Sequence, residues 1–184
     1  PSCCRAPAAG MEVTSNSERA VRSQKMVVEL LASDVPERVY KLDSELDTWK
    51  RRLGIGAPRF PAREQPAADL SHPAMAVNLD ACIQCTRCVR ACREVQVNDV
   101  IGYAFRGSHS AIVFDEGDPM GDSTCVACGE CVQACPTGAL APANEAYLVP
   151  SQKIVQSVCP YCGVGCQLNY HVNDNKIVRV EGRD

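Results

Sequence analysis

Apolar residues recur at helical spacing near the start of the chain. Val21, Val28 and Leu31 fall close to one face of an α-helix, and Ser17 stands before them as an N-cap. The pattern predicts an amphipathic helix from about Glu18 to Leu31. We expect its apolar stripe to pack against the rest of the fold.

A second helix is predicted from Glu45 to Leu53. Ser44 caps its start, Asp47 follows three residues later as in a capping box, and Gly54 closes its end. We interpret both helices as scaffold that forms a connector of residues 14–55.

Proline interrupts the helical pattern after this connector. Residues 56–75 contain few apolar positions, and prolines disfavour both helix and internal strand. The segment is therefore predicted to be a linker that lies over the surface. Its prolines are Pro58, Pro61, Pro66 and Pro73.

Alternating apolar and polar residues in the second half of the chain predict short strands. One strand is expected at Ala76–Leu79. A hairpin is expected from Val100–Phe105 and Ala111–Phe114, with its turn at Gly107 and Ser108.

A last pair of alternating segments lies near the end of the chain. Gln167–Val172 and Lys176–Val180 are joined through residues 173–175, so a hairpin is predicted within a final unit of residues 154–184. Helices early in the chain and hairpins later make α+β the predicted fold class.

Composition narrows the classes of partner. The 22 acidic and 19 basic residues nearly balance, so the charge gives no indication of nucleic-acid binding. No apolar run reaches the roughly eighteen residues that a membrane span requires, and the first residues lack the regions of a signal peptide. We expect a cytoplasmic protein without a membrane segment. Because the chain starts at Pro1 and stops within a motif, we also expect an internal fragment of a longer protein.

Thirteen cysteines dominate the candidate chemistry. Eight of them form two runs with the spacing C-x2-C-x2-C-x3-C, the ligand pattern of bacterial two-cluster ferredoxins, in which the last cysteine of each run reaches the other cluster. One predicted [4Fe-4S] cluster therefore takes Cys82, Cys85, Cys88 and Cys135. The other takes Cys125, Cys128, Cys131 and Cys92. With the hairpin inserted between them, the runs define a ferredoxin-like module of residues 76–142.

Two short helices are expected to carry these ligands. One begins near Thr86 and has Cys88 and Cys92 four residues apart on one face, and the other begins near Glu130 and ends at Cys135. These helices anchor the predicted ligands within the module.

The loops between the ligands are predicted to support the sulfur atoms. Backbone N–H groups of residues 83–84 and 126–127 are expected to point at the sulfurs, and Gly129 lets the backbone approach closely. Such hydrogen bonds tune the reduction potential of an iron–sulfur cluster.

The arginines and histidines near the cysteine runs can be explained without a role in metal binding. Three arginines lie beside the first run, where positive charge favours a reduced cluster, although a solvated basic face or a docking patch explains them equally well: Arg87, Arg90 and Arg93. Three histidines are interpreted as surface or packing residues: His72, His109 and His171. Of these, His72 merits a check as a ligand.

Two other uses of cysteine compete with a cluster. Disulfides are disfavoured because the number of cysteines is odd and eleven of them lie in three dense runs. Zinc sites take two separated cysteine pairs more often than four cysteines in one short run. A disulfide-bonded domain and a zinc-binding interaction module are therefore the weaker interpretations.

A third run comprises Cys159, Cys162 and Cys166, with the spacing C-x2-C-x3-C. A cube needs a fourth thiolate, and no cysteine follows before Asp184. The sequence predicts a third [4Fe-4S] cluster whose last ligand lies downstream. Cys4 is a remote alternative for that ligand.

These residues resemble a known family. Ser157–Cys166, with the hairpin after it and the ending Lys-Ile-Val-Arg-Val-Glu-Gly, resembles the opening of the molybdopterin oxidoreductase catalytic domain. A two-cluster ferredoxin module directly before that domain is similar to the order in α subunits of soluble NAD-dependent formate dehydrogenases. Residues 1–13 resemble the tail of a plant-type [2Fe-2S] domain, and on this resemblance Cys3 is the last ligand of a [2Fe-2S] cluster.

The resemblance implies cofactors and partners beyond this chain. It implies a bis-molybdopterin guanine dinucleotide with molybdenum or tungsten in the full-length protein, with flavin/NAD-binding and [2Fe-2S] subunits as partners. The full complex would oxidise formate to carbon dioxide and reduce NAD, while this fragment only conducts electrons. The catalytic residues would lie beyond Asp184. The chain departs from a related respiratory NADH dehydrogenase subunit because residues 27–71 lack the cysteines of an additional His-Cys3 cluster.

Two alternatives for function stay open at this point. The same relay suits an NADH dehydrogenase or hydrogenase-like subunit, and the sequence after Asp184 would discriminate. A stand-alone ferredoxin-type carrier is the other alternative, but it has no evident use for the run that starts at Cys159.

Overall fold

The computed structural model describes residues 4–183, so Cys3 lies outside the described residues. Within this range the four α-helices are α1 Glu18–Asp34, α2 Glu45–Leu53, α3 Arg87–Arg90 and α4 Glu130–Ala134. The strands are β1 Met75–Val77, β2 Ile101–Ala104, β3 Ala111–Phe114, β4 Leu140–Pro142, β5 Lys153–Val158, β6 Gln167–Asn173 and β7 Lys176–Gly182.

The first helix begins where the sequence predicts and ends three residues later than predicted. The Ser17 side chain accepts a hydrogen bond from the N–H of Ala20, which satisfies one of the free donors at the helix start. The helix ends before Pro36, which disfavours helical geometry in the residue that precedes it. The predicted apolar stripe is only half-buried, so α1 lies at the edge of the molecule.

The second helix has the predicted bounds. The Ser44 side chain accepts from the N–H of Asp47, and Gly54 adopts a left-handed conformation with φ of 64°. The N–H of Gly54 returns to the carbonyls of Lys50 and Arg51, so both helix ends are capped.

The linker after α2 is irregular, as predicted, and ion pairs fix it to the first helix. The Arg59 guanidinium lies 2.6 Å from the carboxylate of Glu29, and Arg63 lies 3.3 Å from Asp34. Farther along, Asp69 forms a backbone bridge with Val77. The linker therefore contacts α1 near its beginning and strand β1 near its end.

The ferredoxin-like unit is closed by a short two-stranded sheet. Strand β1 pairs with β4 in antiparallel register, with Met75 opposite Pro142 and Val77 opposite Leu140. The strand predicted at residues 76–79 thus starts one residue earlier and ends two residues earlier, and β4 was not predicted. The pairing brings the beginning and end of the unit together.

The inserted hairpin is confirmed. Strands β2 and β3 pair antiparallel, and residues 107–109 form the turn between them. Ile101, Ile112 and Phe114 are buried in the core, so the insertion adds apolar area beside the cysteine loops.

The last unit is a three-stranded antiparallel sheet in the order β5-β6-β7. The predicted hairpin corresponds to β6 and β7, and Asp174 and Asn175 have positive φ at its turn. Strand β5 was not predicted, and all six of its residues are exposed. Among residues 4–183, none of the helices has both the length and the apolar character needed to cross a bilayer.

Candidate metal centre

Both cysteine loops have the same alternating backbone conformation. In the first loop Gln84 and Thr86 have φ of 56° and 59°, and in the second loop Ala127 and Gly129 have φ of 57° and 78°. These left-handed residues occupy equivalent places between the first three cysteines of each run. They curl the chain so that successive cysteine side chains turn toward one interior space.

The first loop surrounds a cavity with about 360 Å³ of space between atoms, part of it open to solvent. Apolar side chains, among them Leu79, Ile112 and Leu140, complete its wall. Three of its cysteines come from the first run and one from the end of the second: Cys82, Cys85, Cys88 and Cys135.

The second loop surrounds a similar cavity with about 310 Å³ of space between atoms, part of it open to solvent. Met75, Val100 and Ile101 contribute apolar wall, and here the borrowed cysteine comes from the first run. The four cysteines are Cys125, Cys128, Cys131 and Cys92. We call the two sets of four the first quartet and the second quartet.

The exchange of cysteines depends on the short helices. Cys88 in α3 lines the first cavity, whereas Cys92 lies in the following π-helical turn, residues 91–95, and lines the second. The sequence predicts Cys88 and Cys92 on one face of a helix. In the structure their thiols nevertheless line different cavities. In α4 the order is mirrored, since Cys131 lines the second cavity and Cys135, just after the helix, lines the first.

Two of the four predicted backbone amides donate to sulfur atoms. The N–H of Gln84 lies 3.4 Å from Sγ of Cys82, and the N–H of Ala127 lies 3.4 Å from Sγ of Cys125. A third donor, the N–H of Leu140 at 3.5 Å from Sγ of Cys135, was missed. It belongs to β4, the strand that the sequence pattern did not reveal.

The buried thiols are electrostatically crowded. Burial raises the pKa of Cys88 to about 12, with a further contribution from the neighbouring Cys135. Burial likewise raises the pKa of Cys131 to about 12, with a further contribution from the neighbouring Cys125. Thiolates held this way need positive charge between them, which is what iron supplies.

The donor set fits an iron–sulfur cluster better than one ion. A single zinc ion draws four thiolates to about 2.3 Å from one point. Among residues 4–183, no three potential ligands converge on one ion in this way. The two quartets instead line apolar cavities and receive amide hydrogen bonds, as a cube of iron and sulfide requires.

The three arginines beside the first run are all neutralised by carboxylates. Arg87 pairs with Glu45, Arg90 with Glu94, and Arg93 with Asp99. All six side chains are at least half exposed, so the pairs add little to stability. Arginine charge alone therefore does not distinguish the two quartets.

The histidines have local roles. His72 is buried, and its Nδ1 accepts a hydrogen bond from the N–H of Ala74. His171 is also buried and lies 2.9 Å from the carboxylate of Glu181. His109 lies in the exposed hairpin turn. These contacts agree with packing roles.

The third cysteine run is open to solvent. Cys159 is half-buried, while Cys162 and Cys166 are exposed. The N–H of Cys159 donates to the carbonyl of Cys166 at 2.8 Å, so the run is a closed loop at the end of β5. Cys4 is exposed near the start of the described residues.

A further cavity lies away from the cysteine runs. It is an open groove between α1 and residues 54–59, and charged side chains such as Lys25, Glu29 and Arg59 line it. Among the described residues that form this groove there is no cysteine. The groove therefore has no part in the candidate metal centre.

Two known domain families match the cysteine-containing units. Residues 72–141 match the ferredoxin-like domain of NADH-quinone oxidoreductase subunit 3, and residues 152–184 match the molybdopterin oxidoreductase Fe4S4 domain. The chain therefore contains two segments that match iron–sulfur domain families of oxidoreductases, and its fold is α+β as predicted. The domain descriptions support [4Fe-4S] clusters.

Relatives with curated names are oxidoreductases or subunits of oxidoreductases. The chain is 31% identical to a subunit of the NADH-quinone oxidoreductase of Rhizobium meliloti, over 98% of its own length and 22% of the relative's. It is 30% identical to the α subunit of the NADPH-Fe(3+) oxidoreductase of Geobacter sulfurreducens, over 95% of this chain and 21% of the relative. A protein of Staphylococcus haemolyticus that is provisionally named a formate dehydrogenase is 23% identical, over 77% of this chain and 18% of that protein. The chain thus spans about a fifth of these relatives.

A solved structure shares the fold. The NAD+-reducing [NiFe]-hydrogenase in its H2-reduced state superposes with a TM-score of 0.69 at 27% identity, over 77% of this chain and 62% of that chain. The comparisons support the iron–sulfur part of the sequence-based resemblance. Formate as the substrate is one of several activities among the relatives and stays a prediction.

Proposed function

We propose that the two quartets each hold a [4Fe-4S] cluster and that the chain relays electrons between them. The observation that carries this proposal is that each cavity is lined by four cysteines, three from one run and the fourth from the other. When bound, such a cluster takes up and releases single electrons. The proposed ligands are therefore the two quartets as defined above.

The surrounding residues provide what electron transfer needs. Apolar side chains such as Ile112 and Val100 limit water at the two cavities. The amides of Gln84 and Ala127 stabilise negative charge on the sulfurs, which makes reduction easier. The shared core between the quartets keeps their separation fixed.

The third run extends the relay in this proposal. Cys159, Cys162 and Cys166 provide three ligands of a further [4Fe-4S] cluster, supported by the match of residues 152–184 to an Fe4S4 domain. By resemblance, Cys3 ends a [2Fe-2S] site. The proposed order of the units is a tail at 1–13, helices at 14–55, a linker at 56–75, the ferredoxin-like unit at 76–142 and the final unit at 154–184.

For the whole protein we propose formate oxidation at a molybdopterin centre, with electrons passed to flavin/NAD-binding partners in the cytoplasm. The Fe4S4 domain match and the formate dehydrogenase name of one relative support this candidate. An NADH dehydrogenase-like relay is the second candidate, because the relative with 31% identity is named as an NADH-quinone oxidoreductase. Molybdenum or tungsten content and formate-dependent NAD reduction of the full-length protein distinguish the two.

The ligand assignment is tested by paired substitutions in anaerobically purified chain. Cys135→Ala should remove the cluster of the first quartet and leave that of the second, although Cys135 belongs to the second run. Cys92→Ala should do the reverse, so each variant is the control for the other. Iron and acid-labile sulfide analysis with electron paramagnetic resonance (EPR) reads the outcome. Loss confined to the cluster of each cysteine's own run would contradict the exchange, and an iron-free folded wild type would contradict the function.

A further inference from the structure

The last cysteines of the two runs occupy equivalent places but have different hydrogen-bond donors. The backbone carbonyl of Cys92 accepts from the backbone N–H of Asn98 at 3.0 Å. The backbone carbonyl of Cys135 accepts from Nζ of Lys41 at 2.9 Å. A neutral amide therefore stands at one quartet where an ammonium group stands at the other.

The structure holds Lys41 in this position from a distant part of the sequence. The segment between α1 and α2 packs on the loop after Cys135, where the N–H of Glu45 donates to the carbonyl of Pro136 at 2.9 Å. Gly138 permits the approach, since an added Cβ would lie 2.8 Å from the backbone of Tyr40. Lys41 is half-buried in this contact, which limits the freedom of its ammonium group.

The groups around Lys41 place two cations and two carboxylates beside the first quartet. Glu45 offsets the charge of Arg87, with which it forms two hydrogen bonds. Arg87 is the strongest influence that lowers the pKa of Glu45, and Lys41 adds to it, which agrees with a cluster of two cations and one carboxylate. The carboxylate of Asp80 also lies on this side and accepts from the hydroxyl of Tyr40.

The second quartet has no counterpart of the Lys41 ammonium group among the described residues that flank it. Arg93, beside Cys92, pairs with Asp99 at 2.6 Å. The residue directly before the third cysteine is Arg87 in the first run and Glu130 in the second. The quartets thus differ in charge at two equivalent places. At one place the sign is opposite, and at the other an ammonium group stands where the second quartet has a neutral amide.

We propose that Lys41 makes the first quartet the site of higher reduction potential, so that an electron shared by the pair rests there. This inference depends on the proposed function, because it requires a cluster at each quartet. One electron leaves the group at the second quartet and reaches the group at the first, and no atom or proton is transferred. Positive charge stabilises the reduced form because that form carries one more negative charge.

The test is a redox titration of the anaerobically purified full chain with dithionite, followed by EPR. Cys82→Ser and Cys125→Ser variants assign the signals to the two quartets. In Lys41→Gln, which keeps a hydrogen-bond donor and loses the charge, we expect the first midpoint potential to fall and the second to stay. We expect the equilibrium constant for reduction at the first quartet to fall about tenfold, which corresponds to about 59 mV for one electron. Lys41→Arg should stay close to the wild type.

Two further variants make the outcome decisive. Lys50→Gln removes the same charge from α2, where Lys50 lies 3.6 Å from Asp47, and it should leave both midpoints unchanged. Glu45→Gln removes the carboxylate and should raise the first midpoint, which tests the idea even if Lys41→Gln binds iron poorly.

The outcomes separate this inference from the proposed function. Unchanged midpoints in both Lys41→Gln and Glu45→Gln, or equal shifts in Lys41→Gln and Lys41→Arg, would overturn the role of Lys41 while iron and sulfide content still supports the relay. A wild-type chain that folds without iron and sulfide would overturn the relay itself.

Discussion

At the scale of single residues, the left-handed positions of the cysteine loops differ in their cost. Gly129 adopts φ of 78° without a side chain, whereas Thr86 adopts φ of 59° at the equivalent place with a β-branched one. A non-glycine residue in this conformation costs about 1–2 kcal/mol. The first loop therefore stores strain at this place that the second loop avoids, although Gln84 and Ala127 carry the same cost in both loops.

Exchange of the residue types at these positions tests that strain. Gly129→Thr should lower the free energy of unfolding by about 1–2 kcal/mol, because it adds the same backbone cost to the second loop. Thr86→Gly should lose no stability despite the greater freedom of its unfolded chain. Urea denaturation of the iron-loaded chain measures both. Gly56→Thr is the control, since Gly56 has open space and no positive φ, and an equal loss there would contradict the strain.

At the scale of elements, the linker is fixed by one carboxylate that accepts two backbone amides. Asp69 accepts from the N–H of Ser71 at 2.9 Å and from the N–H of Met120 at 2.7 Å. Although burial raises the pKa of Asp69, the hydrogen bonds from Ser71 and Met120 bring it below its ordinary value. This side chain ties the linker to the loop that precedes the second cysteine run.

Asp69→Asn should lower the free energy of unfolding by about 1–3 kcal/mol, because an amide accepts on one side only. The lowered pKa means that the carboxylate stabilises the fold above about pH 4 and loses this effect as the pH falls through its folded-state pKa. The difference between variant and wild type should thus be constant from pH 7 to pH 5 in urea denaturation. Asp118→Asn, an exposed control, should have no effect, and a loss as large as that of Asp69→Asn would contradict the mechanism.

Elements with local signals were predictable from the sequence, and elements defined by pairing were not. The α2 bounds follow from Ser44 and Gly54, which act within one turn of the helix. Strand β4 has three residues including a proline, and it exists because β1 pairs with it. Strand β5 is exposed throughout, so it lacks the alternation of apolar and polar residues that identifies a half-buried strand.

At the scale of the whole molecule, the connector packs on the ferredoxin-like unit through a close backbone contact. Gly138 has φ of 84°, and the backbone of Tyr40 lies 2.8 Å from where its Cβ would be. The contact brings Lys41 and Glu45 to the loop after Cys135. No local sequence pattern predicts this contact, because Tyr40 and Gly138 are about a hundred residues apart in sequence.

Gly138→Ala should separate the connector from this loop. The added methyl group meets backbone rather than a flexible side chain, and we expect a loss of about 1–3 kcal/mol in the free energy of unfolding. Faster amide hydrogen exchange at Glu45, whose N–H donates across the contact, should accompany the loss. Gly107→Ala has a positive φ but open space, so it controls for backbone strain alone. Equal effects of both variants would contradict the contact.

Removal of iron should loosen the ferredoxin-like unit more than the sheet β5-β6-β7. The core of that unit includes Cys88, Cys92, Cys131 and Cys135, whose sulfurs would face unfilled space without a cluster. After anaerobic chelation, hydrogen exchange at Asn78 and Ala81 should approach the unfolded rate, while Tyr170 in β6 stays protected. Unchanged protection at Asn78 and Ala81 would show that the fold does not need the metal.

Each cavity is lined by one cysteine from the other run, Cys135 in the first and Cys92 in the second. This exchange affects the order in which the two proposed clusters are inserted. Filling either cavity immobilises a helical turn that also presents a donor to the other cavity. The second insertion thus meets a preorganised partner and costs less conformational entropy than the first. Native mass spectrometry during stepwise iron and sulfide delivery should then find empty and doubly filled chains side by side, with singly filled chains scarce.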